Sequence, residues 1–311
     1  DPDRTASGEP RARVALERLD TLWINTGTLC NIECANCYIE SSPSNDRLTY
    51  ITASETASYL DEIGTLGLET REIGFTGGEP FMNPEIIAML RDALGRGHEV
   101  LVLTNAMQPM QRKRIKEGLL KLRDQFGSKL TLRVSLDHYS ADLHESERGT
   151  GTWDKTIAGL DWLANHGFSI SIAGRTCWNE PEDAARDGYR ALIAKHGWPV
   201  DACDPASLVL FPEMDERADV PEITNACWSI LDQSPASQMC ASSRMVVKRK
   251  GAEKPSIVPC TLLPYDMRFE MGTTLEQAAT AHGGMFHHGT VKLCHPHCAR
   301  FCVLGGGKCS A

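Results

Sequence analysis

Cys30-Asn-Ile-Glu-Cys34-Ala-Asn-Cys37-Tyr38 places three thiols close behind the short apolar run Leu22-Trp-Ile-Asn25. A strand followed at once by a polar, functional loop belongs to a parallel βα fold, in which such loops gather at the C-terminal ends of the strands. Three thiolates satisfy three irons of a cubane and leave the fourth iron open to a small chelating molecule. A structural zinc site would need a fourth ligand, and no Cys or His occurs between Cys37 and His98.

Outward from this loop, short apolar runs alternate with amphipathic stretches from Thr21 to about Phe211, the pattern of repeated βα units around a parallel sheet. The strands predicted are Leu22 to Asn25, Glu72 to Thr76, Val100 to Thr104, Leu130 to Leu136, Phe168 to Ala173 and Ser207 to Phe211. Thr52 with Glu55 forms a capping box, and Asn83-Pro84 reads as an N-cap with proline at the first helical position. Ile86, Ile87, Leu90 and Leu94 then mark one buried helical face. Further helices are expected over Met110 to Phe126, Trp153 to His166 and Pro181 to His196, and no sequence repeat is visible beyond this rhythm. After about Pro212 the rhythm stops and Pro, Cys and Gly organise the chain. The expected divisions are an N-terminal extension over 1–20, a βα unit over 21–225 and a Cys-rich tail over 226–311, whose stability leans on metal ligation.

A chain of 311 residues that is 41% hydrophobic can bury a full core. No apolar stretch reaches the roughly 18 residues of a membrane span, and Asp1 to Arg13 is polar rather than an apolar signal core, so neither a membrane nor export is expected and the cytoplasm is the default. The formal net charge of −9 works against a nucleic-acid partner. The basic runs Gln111 to Lys116 and Lys248 to Lys250 are short enough to be solvated faces. Twelve cysteines, clustered near the N-terminus and in the last quarter, fit thiolates on metal in a reducing compartment better than a disulfide scaffold.

The cysteine loop resembles that of the radical S-adenosylmethionine superfamily, whose CxxxCxxC spacing is matched by Cys30, Cys34 and Cys37. The residue before the third cysteine, usually aromatic there, is Asn36 here, with Tyr38 just after as the aromatic near the adenine. Thr76-Gly77-Gly78-Glu79-Pro80 at the end of the second strand looks like the family's GGE motif for the cofactor's methionine amino group. The glycines permit close backbone approach, and a carboxylate pairs with an ammonium. The resemblance further implies that Asn105, Ser135 and Asp137 serve the ribose side of the cofactor and Arg175 the methionine carboxylate. It implies an α/β fold, a partial (β/α)6 TIM-type barrel followed by a small Cys-rich cluster-binding extension. It also implies a [4Fe–4S] cluster that cleaves S-adenosylmethionine to a 5′-deoxyadenosyl radical, and reduced flavodoxin or ferredoxin as electron donor.

The tail, with Cys240, Cys260, the segment Met271 to Leu275, Cys294, Cys298, Cys302 and Cys309, resembles the SPASM or twitch extensions that house auxiliary [4Fe–4S] clusters. Six cysteines there imply one auxiliary cluster, although spacing alone also permits a Cys/His zinc site with His287, His288, His295 or His297. Cys203 and Cys227 read as small apolar residues, and Trp23 and Trp228 as core or domain contacts. Cys177, next to Arg175, together with Asp137, Glu213 and Asp215, are the residues to weigh for proton or radical handling. Since only about 20 residues precede the first strand, the expectation tilts from a peptide toward a small-molecule substrate, on domain-size grounds. The rivals are an iron–sulfur or zinc protein for electron transfer without radical chemistry, and a zinc-dependent barrel hydrolase. The strand ends lack the His and carboxylate set of the hydrolase, and an intact Gly77-Gly78-Glu79 speaks against the carrier.

Overall fold

The computed structural model describes residues 1–212, 219–283, 286–287 and 289–305. The chain opens with β1 (Arg13–Val14) and then enters six parallel strands, β2 (Thr21–Asn25), β3 (Glu72–Thr76), β4 (Glu99–Thr104), β5 (Leu130–Ser135), β6 (Ser169–Arg175) and β7 (Leu208–Phe211). Helices cross between them: α1 (Ala53–Thr65), α2 (Ile86–Gly95), α3 (Gln108–Gln111) and α4 (Lys113–Phe126), α5 (Ala141–Arg148) and α6 (Trp153–Asn165), then α7 (Glu182–His196). The expected strands therefore appear in place, each within two residues of its predicted bounds.

Local chemistry sets the helix starts. Thr52 accepts from the Glu55 amide while Glu55 returns the bond to the Thr52 amide, the reciprocal cap read from sequence. Asn83 behaves differently from its expectation: its side chain accepts from the Glu85 amide at 2.9 Å, capping a preceding turn, and α2 begins only at Ile86. Ile86, Met89, Leu90, Ala93 and Leu94 are the face that α2 buries, whereas Ile87 is only partly covered.

The sheet does not stop where the βα rhythm does. After α8 (Cys227–Ile230), β8 (Ser243–Val247) pairs parallel with β2, and β9 (Ser256–Val258) pairs antiparallel with β8. The order across the eight strands is β7-β6-β5-β4-β3-β2-β8-β9. The sheet thus runs across the boundary expected at residue 225, because the free edge of β2 needs a hydrogen-bonding partner and Met245, Val246 and Val247 need burial. The chain continues through α9 (Leu275–Thr280), β10 (His282–Gly283), β11 (Phe286–His287) and β12 (Thr290–Lys292). A second, antiparallel sheet, β1-β12-β11-β10, recruits the N-terminus: Arg13 pairs with Lys292, and the Leu293 amide donates to the Ala12 carbonyl at 3.0 Å. The N-terminal extension is therefore woven into the tail.

Since Met245 on β8 and Leu132 on β5 are both fully buried, Met245→Ala and Leu132→Ala are each expected to cost about 2–5 kcal/mol. Chemical denaturation followed by fluorescence and circular dichroism should show both losses in one shared transition. A separate early transition in Met245→Ala alone would mean that the tail folds independently of the barrel.

Candidate active site

The strand ends β2 to β7 surround a cavity lined by Cys30, Cys34, Cys37, Tyr38, Gly77, Gly78, Asn105, Ser135, Asp137 and Arg175 among others. Ten residues named from sequence thus meet around one space. Leu103, Ala173, Phe211 and Leu262 supply its apolar wall.

The cysteine loop is held against the next strand end by backbone contact. Gly78 donates to the Gly27 carbonyl at 2.7 Å and Glu79 to the Leu29 carbonyl at 3.1 Å. A Cβ on Gly78 would stand 2.2 Å from the Leu29 oxygen, and Gly77 has φ +145°, so both glycines answer a steric requirement. The sequence reading assigned the close approach to a ligand; here the cysteine loop itself also demands it.

Glu79 lies behind the wall. It is 1% exposed and accepts from the Phe81 amide (3.2 Å), the Thr104 hydroxyl (2.9 Å) and the Asn105 amide (2.8 Å), tying β3 to the end of β4. Burial pushes its pKa up to about 7, against these hydrogen bonds. Asn105, so placed, donates through Nδ2 to Asn31 at 2.9 Å and lies 3.9 Å from Cys30 Sγ.

On the other side, α5 grips the loop. The Ala35 amide donates to the Glu147 carbonyl at 2.8 Å, and Asn36 donates to the Glu147 carboxylate through its amide (2.9 Å) and its Nδ2 (2.7 Å). Asn36, the departure from the aromatic usual at its position, is therefore a loop anchor. Arg175 completes the clasp, with Nη2 donating to the Asn36 carbonyl at 3.1 Å, Nε donating to Asp137 at 3.2 Å, and Nη1 buried with no partner.

Asp137 is 3% exposed and accepts from Arg175 and from both Nε and Nη2 of Arg148. Burial by itself would raise its pKa, but the adjacent guanidiniums outweigh it and hold the carboxyl below the ordinary range. That disfavours the general-base role considered from sequence, since its lone pairs are engaged and its affinity for a proton is reduced. Cys177 is half-buried and outside the cavity wall, with its thiol pushed up by burial. Glu213 and Asp215 lie outside the described residues.

Arg148, Glu147 and Arg133 were missed. Arg133 is a single charge within the apolar strand β5, and Arg148 and Glu147 escape because α5 reads Ala-Asp-Leu-His-Glu-Ser-Glu-Arg, whose buried residues are the polar His144 and Glu147, so no apolar period marks it. The readable signal was its charge order, Asp142 in the first turn and Arg148 in the last.

Burial pushes the thiol of Cys30 up to about 12, with the Glu79 charge adding to it, and that of Cys34 up to about 11. Such thiols ionise only when a cation arrives, so metal uptake releases protons. Among the described residues no group of three or more His, Cys, Asp or Glu converges on a point fit for a single ion. The donor chemistry, three thiols around open space, suits a multi-iron cluster.

In the tail, Cys240, Cys260, Cys298 and Cys302 line a second, small cavity, walled by Met239, Pro259, Leu263, Val291 and Leu293. Cys298 and Cys302 lie in the π-helical segment Cys298–Leu304. Burial raises the thiol of Cys240 to about 11 and that of Cys298 well above its ordinary value. Cys294 is half-buried and outside this cavity, and Cys309 lies outside the described residues.

The Radical SAM superfamily model matches residues 24–183. The subtilosin biosynthesis protein AlbA of Bacillus subtilis is 34% identical over 145 residues, covering 46% of this chain and 30% of that protein. The AdoMet-dependent heme synthase of Methanosarcina barkeri is 28% identical over 146 residues, covering 46% and 38%. The chain therefore spans well under half the length of these relatives. Among solved structures, Streptococcus suis SuiB bound to S-adenosylmethionine superposes with a TM-score of 0.62 at 13% identity, covering 86% of this chain and 67% of that one. SuiB has also been solved with its precursor peptide SuiA.

His144 on α5 is fully buried beside Trp153, and both its ring nitrogens lack partners. Burial drives its pKa down to about 4, with the Arg148 charge adding to it. The unfolded chain takes up the proton first, so stability present above pH 6.5 is lost as pH falls toward 4, by up to about 3 kcal/mol. His144→Phe should flatten denaturant stability against pH across that window, and an unchanged slope would contradict the assignment. Asn36→Ala should retain less iron per chain after anaerobic reconstitution and desalting, since it removes one of the side-chain bonds that hold the loop.

Proposed function

The chain belongs to the radical SAM superfamily, and on that premise we propose that this enzyme abstracts a hydrogen atom from a residue of a peptide substrate. Cys30, Cys34 and Cys37 would hold the [4Fe–4S] cluster and Cys240, Cys260, Cys298 and Cys302 one auxiliary cluster. The observation that carries the reading is the sharing of one cavity by the three loop cysteines, Gly77-Gly78, Asn105, Ser135 and Arg175. When bound, the cluster and S-adenosylmethionine supply a one-electron cleavage of the sulfonium and a 5′-deoxyadenosyl radical.

The residues of the chain have the complementary tasks. The Gly77-Gly78 turn leaves room for a ligand on its cavity side. Arg175 has an unspent buried donor at Nη1 suited to the methionine carboxylate. Asn105, Ser135 and Tyr38 offer polar and aromatic contacts on the same rim. Leu103, Ala173, Phe211 and Leu262 keep water from the reacting atoms. Neither Asp137 nor Cys177 is given a proton-transfer role. A reduced flavodoxin or ferredoxin is the proposed donor.

Support for a peptide comes from a further open cavity, lined by Tyr38, Glu40, Arg47, Leu262, Pro264, Tyr265 and others. It shares Tyr38 and Leu262 with the first cavity. An opening with both aromatic and charged walls suits a peptide segment, and the names of AlbA and of the SuiB complex point the same way.

The test is anaerobic reconstitution followed by iron and sulfide analysis and by 5′-deoxyadenosine release from S-adenosylmethionine with dithionite. Wild type should bind about eight irons, Cys34→Ala should abolish release, and Cys260→Ala should lose about half the iron, as cysteine ligation requires. Well-loaded protein that releases no deoxyadenosine would sink the radical reading.

A further inference from the structure

Arg244, the second residue of β8, is 1% exposed. Its Nη1 donates to the carbonyls of Cys240 (2.7 Å) and Ser243 (2.8 Å), its Nη2 donates to the carbonyl of Gly289 (3.0 Å), and its Nε is buried with no partner. All three acceptors are neutral. The guanidinium is bonded to the backbone of Cys240, whose side chain lines the neighbouring cavity together with that of Cys260. Arginine stays protonated in proteins, so this side chain is a buried cation in search of a counter-charge. Burial of an unpaired charge is strongly unfavourable, and among the described residues no carboxylate is bonded to this guanidinium.

Cys240 and Cys260 line the tail cavity together with Cys298 and Cys302. We infer that Arg244 is the built-in counter-charge of an anionic iron–sulfur centre in that cavity, and that it holds the reduction potential of the centre up. Four thiolates outweigh the positive charge of a cubane core in both of its ordinary oxidation states. The centre is therefore anionic when oxidised and more so after it accepts one electron from a one-electron donor. A fixed cation held on the backbone of a ligand cysteine stabilises the reduced state more than the oxidised one, most effectively where water is excluded. The apolar walls of Met239, Pro259, Leu263, Val291 and Leu293 provide that exclusion. The inference rests on the reading that the tail holds a cluster, and it adds a residue that sets what the cluster does.

The experiment uses the full-length chain with Cys30, Cys34 and Cys37 replaced by Ala, so that the tail centre alone gives a signal. After anaerobic reconstitution, iron per chain is measured, and the midpoint is read by an EPR-monitored titration with dithionite. Arg244, Arg244→Lys and Arg244→Gln are compared. Arg244→Gln should shift the reduction equilibrium at least tenfold toward the oxidised state, about 59 mV for one electron, and Arg244→Lys should stay near wild type. If Arg244→Gln cannot retain iron, retention with a near-native midpoint in Arg244→Lys still supports the charge. A fully loaded Arg244→Gln with an unchanged midpoint overturns the inference, as does equal loss of iron in both variants, which would make Arg244 a brace for carbonyls. Zinc in place of iron in the parent chain overturns it together with the tail-cluster reading, a result recognisable from metal analysis before any variant is made.

Discussion

The arrangement depends on a buried lattice of charges in which Asp137 stands between Arg148 and Arg175, and Arg175 reaches on toward Glu147 at 3.7 Å. All four side chains are almost withdrawn from water. Removing one member of such a group leaves its partner charged and unpaired, at a cost of about 3–5 kcal/mol. The lattice joins the ends of β5 and β6 to α5, and α5 in turn holds Ala35 and Asn36. The geometry of the cysteines is thus set by electrostatics remote from their own loop. From the other side, Glu79 holds Asn105 against the same loop through hydrogen bonds alone.

Both cavities pose one problem in two ways. Thiols are sequestered where their ionisation is opposed, with Cys30 near 12 and Cys34 and Cys240 near 11. In each case an arginine stands near them: Arg148 lowers the Cys34 thiol, and Arg244 lowers that of Cys240. The barrel arginine is neutralised by Asp137, whereas the tail arginine, among the described residues, donates to carbonyls. The two sites are separated by little sequence, since Cys260 and Leu263 line one cavity and Leu262 the other.

The parallel strands were legible because each is a short apolar run between polar breaks, as in Glu72–Thr76, which is buried at every position. The cysteine loop was legible from its spacing, and the glycines of the next strand end from their order. α5 was not legible, because its buried side chains, His144 and Glu147, are polar. Nor was the entry of β8 and β9 into the sheet: Ser243–Val247 lies among Pro, Cys and Gly, and its partner β2 is more than 200 residues earlier. Periodicity reports only local contacts.

By itself the sequence determined the βα rhythm, the three-thiol loop and the identity of its neighbours at the strand ends, since each follows from residue type and short-range order. Tertiary structure alone decided which charged groups meet. It pinned Asp137 between two arginines, turned Glu79 away from the cavity, drew Cys240, Cys260, Cys298 and Cys302 around one space, and buried Arg244 beside them. These are matters of long-range juxtaposition and of burial, and burial is what gives a charge its energy.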